Sequence, residues 1–190
     1  MAGTRTFIAV ELSPAVRGRA EALIKKLSVS DARVSWVQPP HMHLTLKFLG
    51  DVPDSDLNNV CRAVVDGVQD CEAFEMTFRG CGAFPNLARP RTIWIGVDDG
   101  HEAIVALQAA VDAALKKLGF PKEPRRFRPH LTIGRVRETG PAVEELGRVI
   151  EQQADFDADI AIVDELTIFA SYLDKSGPTH EPLGHAELQG

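Results

Sequence analysis

Two segments of this chain place a histidine two residues before a threonine: His43-Leu44-Thr45-Leu46 and His130-Leu131-Thr132-Ile133, about 87 residues apart. In an extended strand successive side chains point to opposite faces, so each His and Thr share one face and the two apolar residues share the other. Two such strands side by side would bring two imidazoles and two hydroxyls into one groove. That set supplies a general acid, a general base and neutral hydrogen-bond donors. The flanks repeat as well, with a proline before each segment (Pro40, Pro129) and a glycine soon after (Gly50, Gly134).

The elements around these strands can be read from pattern. Arg5 to Leu12 reads as a strand, and Ser13-Pro14 as the cap and first residue of a helix reaching about Leu27. Asp31 to Val37 and Met42 to Leu49 read as two strands joined through Gln38-Pro39-Pro40, a hairpin or close to it. Asp54 is the expected cap of a helix through about Val68, followed by strands near Phe74–Phe78 and Thr92–Val97 with a turn-rich loop at Gly80, Gly82, Pro85 and Pro90. Helical spacing of Ile104, Leu107, Val111, Leu115 and Leu118 predicts a helix from His101 to Leu118. After the second motif strand, Pro141 opens a helix to about Glu151. Strands at Phe156–Val163, Glu165–Leu173 and, more weakly, Glu181–Leu188 close the chain. Strand and helix recur twice, and each round carries one motif strand. The pattern predicts an α+β fold of two pseudo-symmetric lobes, each an antiparallel sheet with helices packed outside and the groove between them, as a single bilobal domain over residues 1–190.

Bulk composition excludes several classes. The 190 residues are 44% hydrophobic and 25% charged, ordinary for a globular chain, and no apolar run approaches the length of a membrane span. Met1 to Glu11 lacks the pattern of a signal peptide, and Cys61, Cys71 and Cys81 match no zinc or disulfide framework, so reduced thiols in the cytoplasm are expected. The net charge of −6 hides a basic stripe: residues 116–137 hold eight Lys or Arg against one acid, Glu123. Such a stripe beside the second motif is expected where a protein meets phosphates.

Beyond the motifs, Arg5-Thr6-Phe7-Ile8-Ala9, Trp36-Val37, Lys47-Phe48-Leu49-Gly50, Gly82-Ala83-Phe84-Pro85, Thr92-Ile93-Trp94-Ile95-Gly96-Val97 and Arg128-Pro129 complete a resemblance that runs through almost the whole chain. The sequence resembles the two-histidine phosphoesterase superfamily, specifically the bacterial and archaeal RNA 2′,3′-cyclic phosphodiesterases, also called 2′-5′ RNA ligases. The resemblance implies metal-independent opening of RNA 2′,3′-cyclic phosphate ends to 2′-phosphomonoesters, with reverse 2′-5′ ligation as a further activity. It implies that His43 gives a proton to the departing 3′ oxygen and that His130 is the base for water. Spacing alone does not assign the two roles. Thr45 and Thr132 would hold the nonbridging oxygens. In one stretch the chain departs from the family: Ser171, Gly177-Pro178 and His180 stand where the family tends to show Ser, Gly and then Tyr. His180 is expected in an exposed loop.

Around this core, Lys47 and Arg135 are candidate phosphate contacts, although strict alternation puts Arg135 opposite His130 unless the strand kinks at Gly134. Trp36 and Phe84 are candidate base-stacking residues, whereas Trp94, in an apolar strand, is expected in the core. Arg126 and Arg128 of the basic stripe are candidate substrate contacts. His101 and His185 are expected at the surface. No cofactor or metal is expected. The expected partners are RNA or oligonucleotides with a 2′,3′-cyclic end, tRNA fragments among them, and cyclic nucleotides; no membrane is involved, and the chain is expected to act as a monomer. Two rival readings remain: a metal-dependent phosphoesterase using His41, His43 and His130, and a non-catalytic RNA- or nucleotide-binding module.

Overall fold

The computed structural model describes residues 3–174 and 177–190. Nine strands and four α-helices are present among them: β1 (Gly3–Glu11), α1 (Pro14–Leu27), β2 (Val34–Trp36), β3 (His43–Pro53), α2 (Leu57–Val68), β4 (Phe74–Phe84), β5 (Thr92–Val97), α3 (His101–Lys116), β6 (His130–Val136), α4 (Pro141–Glu151), β7 (Asp157–Val163), β8 (Glu165–Asp174) and β9 (Gly177–Glu187). They form two antiparallel sheets, one ordered β3-β1-β8-β9 and the other β2-β6-β5-β4-β7. Each sheet carries one motif strand beside a strand that leads into a helix: β1 and α1 beside β3, β5 and α3 beside β6. This is the two-lobed α+β architecture that the repeat predicts.

The helices form where capping and periodicity agree. The Ser13 hydroxyl accepts from the Val16 amide at 3.3 Å, Pro14 fills the first turn, and Val16, Ala20, Leu23 and Leu27 make one buried stripe on α1. Stripes of the same kind run along α2 (Val60, Val64, Val68), α3 (Ile104, Leu107, Val111, Leu115) and α4 (Val143, Leu146, Ile150). All four meet the inner faces of both sheets in one continuous hydrophobic cluster. The opposite face of the first sheet carries a smaller cluster of Phe7, Ala9 and Phe169.

Several expectations are corrected. The segments at 31–37 and 42–49 are not a hairpin. Trp36 of β2 pairs with Gly134 of β6 in one sheet, whereas β3 pairs with β1 in the other, and a short 3₁₀ turn at Pro39–His41 carries the chain across. Two prolines in that turn remove amide donors a hairpin ladder would use. Asp54 does not cap α2. It opens a 3₁₀ turn, and its carboxylate accepts from the Thr4 hydroxyl at 2.8 Å. Gly80 and Gly82 lie inside β4, not in the following loop. Gly80, at φ 78°, sits at a register shift between Arg79 and Cys81, so it makes a bulge instead of a turn. A side chain at Gly82 would lie 2.4 Å from the Trp94 indole, so only glycine admits that ring here.

Candidate active site

Both motif strands open onto one cleft of about 610 Å³ between the lobes, lined by His43 and Thr45 from β3 and by His130 and Thr132 from β6. In both strands the residue after the threonine is squeezed out of the ladder. Against β1, Thr45 pairs with Ala9 and Lys47 with Ile8, leaving Leu46 as a bulge; against β5, Thr132 pairs with Trp94 and Gly134 with Ile93, leaving Ile133 as a bulge. Side-chain parity therefore inverts after the motif in both lobes.

The inversion decides which neighbours reach the cleft. Strict alternation puts Lys47 beside His43 and buries Phe48; the structure reverses this, with Lys47 only 4% exposed and Phe48 60% exposed in the cleft. The Lys47 ammonium is bonded to the Asp112 carboxylate of α3 and donates to the Pro121 carbonyl at 2.8 Å, while Gln108 donates to the second Asp112 oxygen at 3.0 Å. Lys47 still contributes to the cleft lining, but its ammonium is taken up by Asp112 and Pro121, so it is an interlobe tie and not the free phosphate contact expected. Arg135 moves the other way. The Ile133 bulge brings it to the face of His130 and Thr132, where it lines the cleft.

The two histidines are held by different means. His130 donates from Nδ1 to the Arg128 carbonyl at 2.7 Å, which leaves Nε2 free to accept a proton, and its ring meets Phe84 edge-on with centroids 5.0 Å apart. The His43 ring stacks on Phe7 at 4.8 Å, and Phe7 in turn stacks on Phe169 at 5.2 Å. Burial lowers both imidazoles below the ordinary value. For His43 it does so to about 4, with the neighbouring charges of His180, His41 and Arg17 adding to the effect against the favourable His41 hydrogen bond. For His130 the Arg135 charge adds to burial, and the Arg128 carbonyl opposes it. Both rings are neutral in the empty cleft at pH 7.

The other predicted residues divide. Phe84, Arg126 and Arg128 line the cleft, as does Arg125 of the same basic stripe; Arg5 and Phe127 line it too, and the sequence did not mark them as site residues. Trp36 is corrected: it packs against the main core over Gly134, outside the cleft lining. Trp94 is only partly buried and lies outside the main core cluster, against Phe84 at 5.3 Å, on the sheet face of Thr132. His180 is not in a loop. It pairs with Ser171 in the β8–β9 ladder, and its ring stands edge-on to His43 at 5.4 Å and to His41 at 5.6 Å. His101 and His185 lie outside the cleft; the latter sits 3.2 Å from the Thr167 hydroxyl. Among the described residues no three His, Cys, Asp or Glu side chains converge as metal ligands would, so the grouping of His41, His43 and His130 is not assembled as a metal site.

Fold and cleft together define a two-lobed protein with one His-x-Thr strand of each sheet facing a shared cleft. The chain belongs to the 2′-5′ RNA ligase superfamily, whose family model matches residues 5–174. It is 35% identical to the RNA 2′,3′-cyclic phosphodiesterase of Methanothermobacter thermautotrophicus, over 93% of this chain and 94% of that protein. Identity to the protein of the same name from Thermotoga maritima is 31%, over 98% of this chain and 96% of that one. Among solved structures, a Thermus thermophilus protein superposes with a TM-score of 0.81 at 25% identity, each chain covered to 98%. Escherichia coli LigT, solved with 3′-AMP, superposes at 0.76 and 22% identity with both chains fully covered, a likeness of fold.

Proposed function

We propose that the protein opens RNA 2′,3′-cyclic phosphate ends to 2′-phosphomonoesters without a metal. The observation that carries the reading is the pair of His-x-Thr strands from opposite sheets meeting in one cleft, with the His130 ring fixed by the Arg128 carbonyl and the His43 ring by its stack on Phe7. The names of the relatives support the same substrate class.

In this reading His130 Nε2 takes a proton from water as the water oxygen bonds to phosphorus. The bond from phosphorus to the 3′ oxygen breaks, and His43 gives that oxygen its proton, leaving the phosphate on the 2′ oxygen. Thr45 and Thr132 donate to the nonbridging oxygens, and Arg135 adds a positive charge beside them. His43 must be protonated to act, yet it is neutral in the empty cleft. The negative charge of the bound phosphodiester restores the proton, so the acid is armed by its own substrate. Phe48 and Phe84 are aromatic faces in the cleft suited to a nucleobase.

Cyclic mononucleotides, oligonucleotides and tRNA fragments with cyclic ends all present this chemistry, and a 5′ hydroxyl in place of water would give 2′-5′ ligation. The chain carries three free thiols, in keeping with a cytoplasmic setting. The test is turnover of a panel of 2′,3′-cyclic mononucleotides and oligonucleotides with and without a chelator. Unchanged turnover on chelation is expected. Loss on chelation with recovery on adding zinc or manganese would favour a metal-dependent reaction, and no turnover on any member would favour a binding module.

A further inference from the structure

His180 belongs to no part of the acid–base scheme above, yet its ring lies against His43. Its ring is edge-on to the His43 ring with centroids 5.4 Å apart, edge-on to Phe7 at 5.0 Å, and edge-on to His41 at 5.6 Å. His43 is thus held on one side by the Phe7 stack and on another by His180. The supports of the three cleft rings differ. His130 has a carbonyl that fixes one ring nitrogen, and His43 has its stack on Phe7, whereas His180 Nδ1 is buried without a hydrogen-bond partner. Among the described residues no hydrogen-bond acceptor at Nδ1 favours a proton on His180 in compensation for its burial.

The charges around the pair add to its isolation. His41 comes from the turn before β3, Arg17 from α1, Arg5 from β1, and Arg128 from the loop across the cleft; Glu11 pairs with His43 along β1 without lining the cleft, and Glu123 is the one acid in that loop. Neither His43 nor His180 makes an ion pair among the described residues. Two positive imidazoles this close, without a carboxylate between them, repel each other.

We propose that His180 is a positioning residue for His43: it holds the ring in place, and the two imidazoles titrate as one coupled pair that accepts its second proton only when a phosphate is bound. In the free protein, protonation of either ring then disfavours protonation of the other, and by thermodynamic reciprocity the effect is equal in both directions. An anion in the cleft relieves the repulsion, so His180 sharpens the dependence of the acid on its substrate. The inference takes the role of His43 from the proposed function, but the coupling itself is a property of the empty cleft.

The test follows the histidine ring signals of the full chain by NMR titration, in the wild type, in His180→Gln and in His43→Gln. His180→Gln should raise the His43 midpoint by roughly half a pH unit or more, the effect expected for unit charges at this separation even at the dielectric constant of water. His43→Gln should reduce the His180 titration to a single step, and the coupling free energy fitted from either ring in the wild type should be the same. A His43 midpoint that stays put or falls in His180→Gln overturns the proposal. Should a variant not fold, the wild-type curves decide: His43 and His180 must each show the two-step titration of a coupled pair, and simple independent curves overturn the coupling. None of the titrations needs turnover, so they separate this inference from the fate of the proposed reaction.

Discussion

At the scale of residues, the cleft is a site whose acid depends on what binds. His43, lowered to about 4, gains its proton when an anion enters, so anion binding should take up protons from solution near neutrality. Sulfate keeps its charge over this range and isolates the effect: its affinity should rise as pH falls from 7 toward 5, and titration calorimetry in buffers of different ionisation enthalpy should detect the uptake. His43→Gln should flatten that dependence; a sulfate affinity flat with pH in the wild type would contradict the account. The same shift acts on stability. The unfolded chain takes a proton on this residue near 6.5 and the folded protein only near 4, so stability is lost as pH falls through that window. His43→Gln should reduce the loss of Tm between those values, as read by thermal melts across the range. The motif histidines and threonines were legible in the sequence because their spacing survives within four residues of extended chain. His180 was not, because its place beside His43 depends on a β8–β9 ladder that no local pattern announces.

At the scale of elements, one bulge placed twice determines which side chains reach the cleft. Periodicity found both motif strands, but a bulge carries no period, and one extra residue turns every later side chain to the other face. Hence Lys47, expected at the phosphate, lies in a buried pair with Asp112, while the side chains of Arg135 and Phe48 are turned toward the cleft. The Lys47 pair ties β3 of one lobe to α3, which follows β5 of the other, and to the start of the loop leading to His130. Removing one partner leaves a buried charge, so Lys47→Met or Asp112→Asn alone should cost about 3–5 kcal/mol in denaturant unfolding. Replacing both with apolar residues of matching volume should recover most of that loss. Singles with wild-type stability would show that the pair is not a tie. Helix stripes and caps were legible almost throughout, since they depend on neighbours in sequence. The exchange of β2 into the second sheet was not, because strand partnership across the molecule is set by tertiary packing.

At the scale of the whole molecule, an acidic chain presents a basic wall to its cleft. The net charge is −6, yet Arg125, Arg126, Arg128 and Arg135 line one side of the opening. The charge asymmetry was visible in the sequence; that these four exposed arginines, with Glu123 among them, line the cleft required the fold. Reversing Arg125 and Arg126 to Glu should raise KM for an oligonucleotide and flatten its salt dependence, since fewer counterions are released when the chain binds. A cyclic mononucleotide, which reaches only the histidines, the threonines and Arg135, should be nearly unaffected. Equal effects on both substrates would mean that the loop shapes the site. The central claim is that one histidine from each lobe opens a cyclic phosphate in a fixed direction, and the most direct measurement is the regiochemistry of product from a 2′,3′-cyclic nucleotide, followed by phosphorus NMR. The wild type should yield the 2′-phosphate alone, and His43→Ala and His130→Ala, each folded, should be slower by roughly 10²–10⁴-fold, as for loss of one acid–base group. A 3′-phosphate or mixed product, or near-normal turnover in either histidine variant, would contradict it.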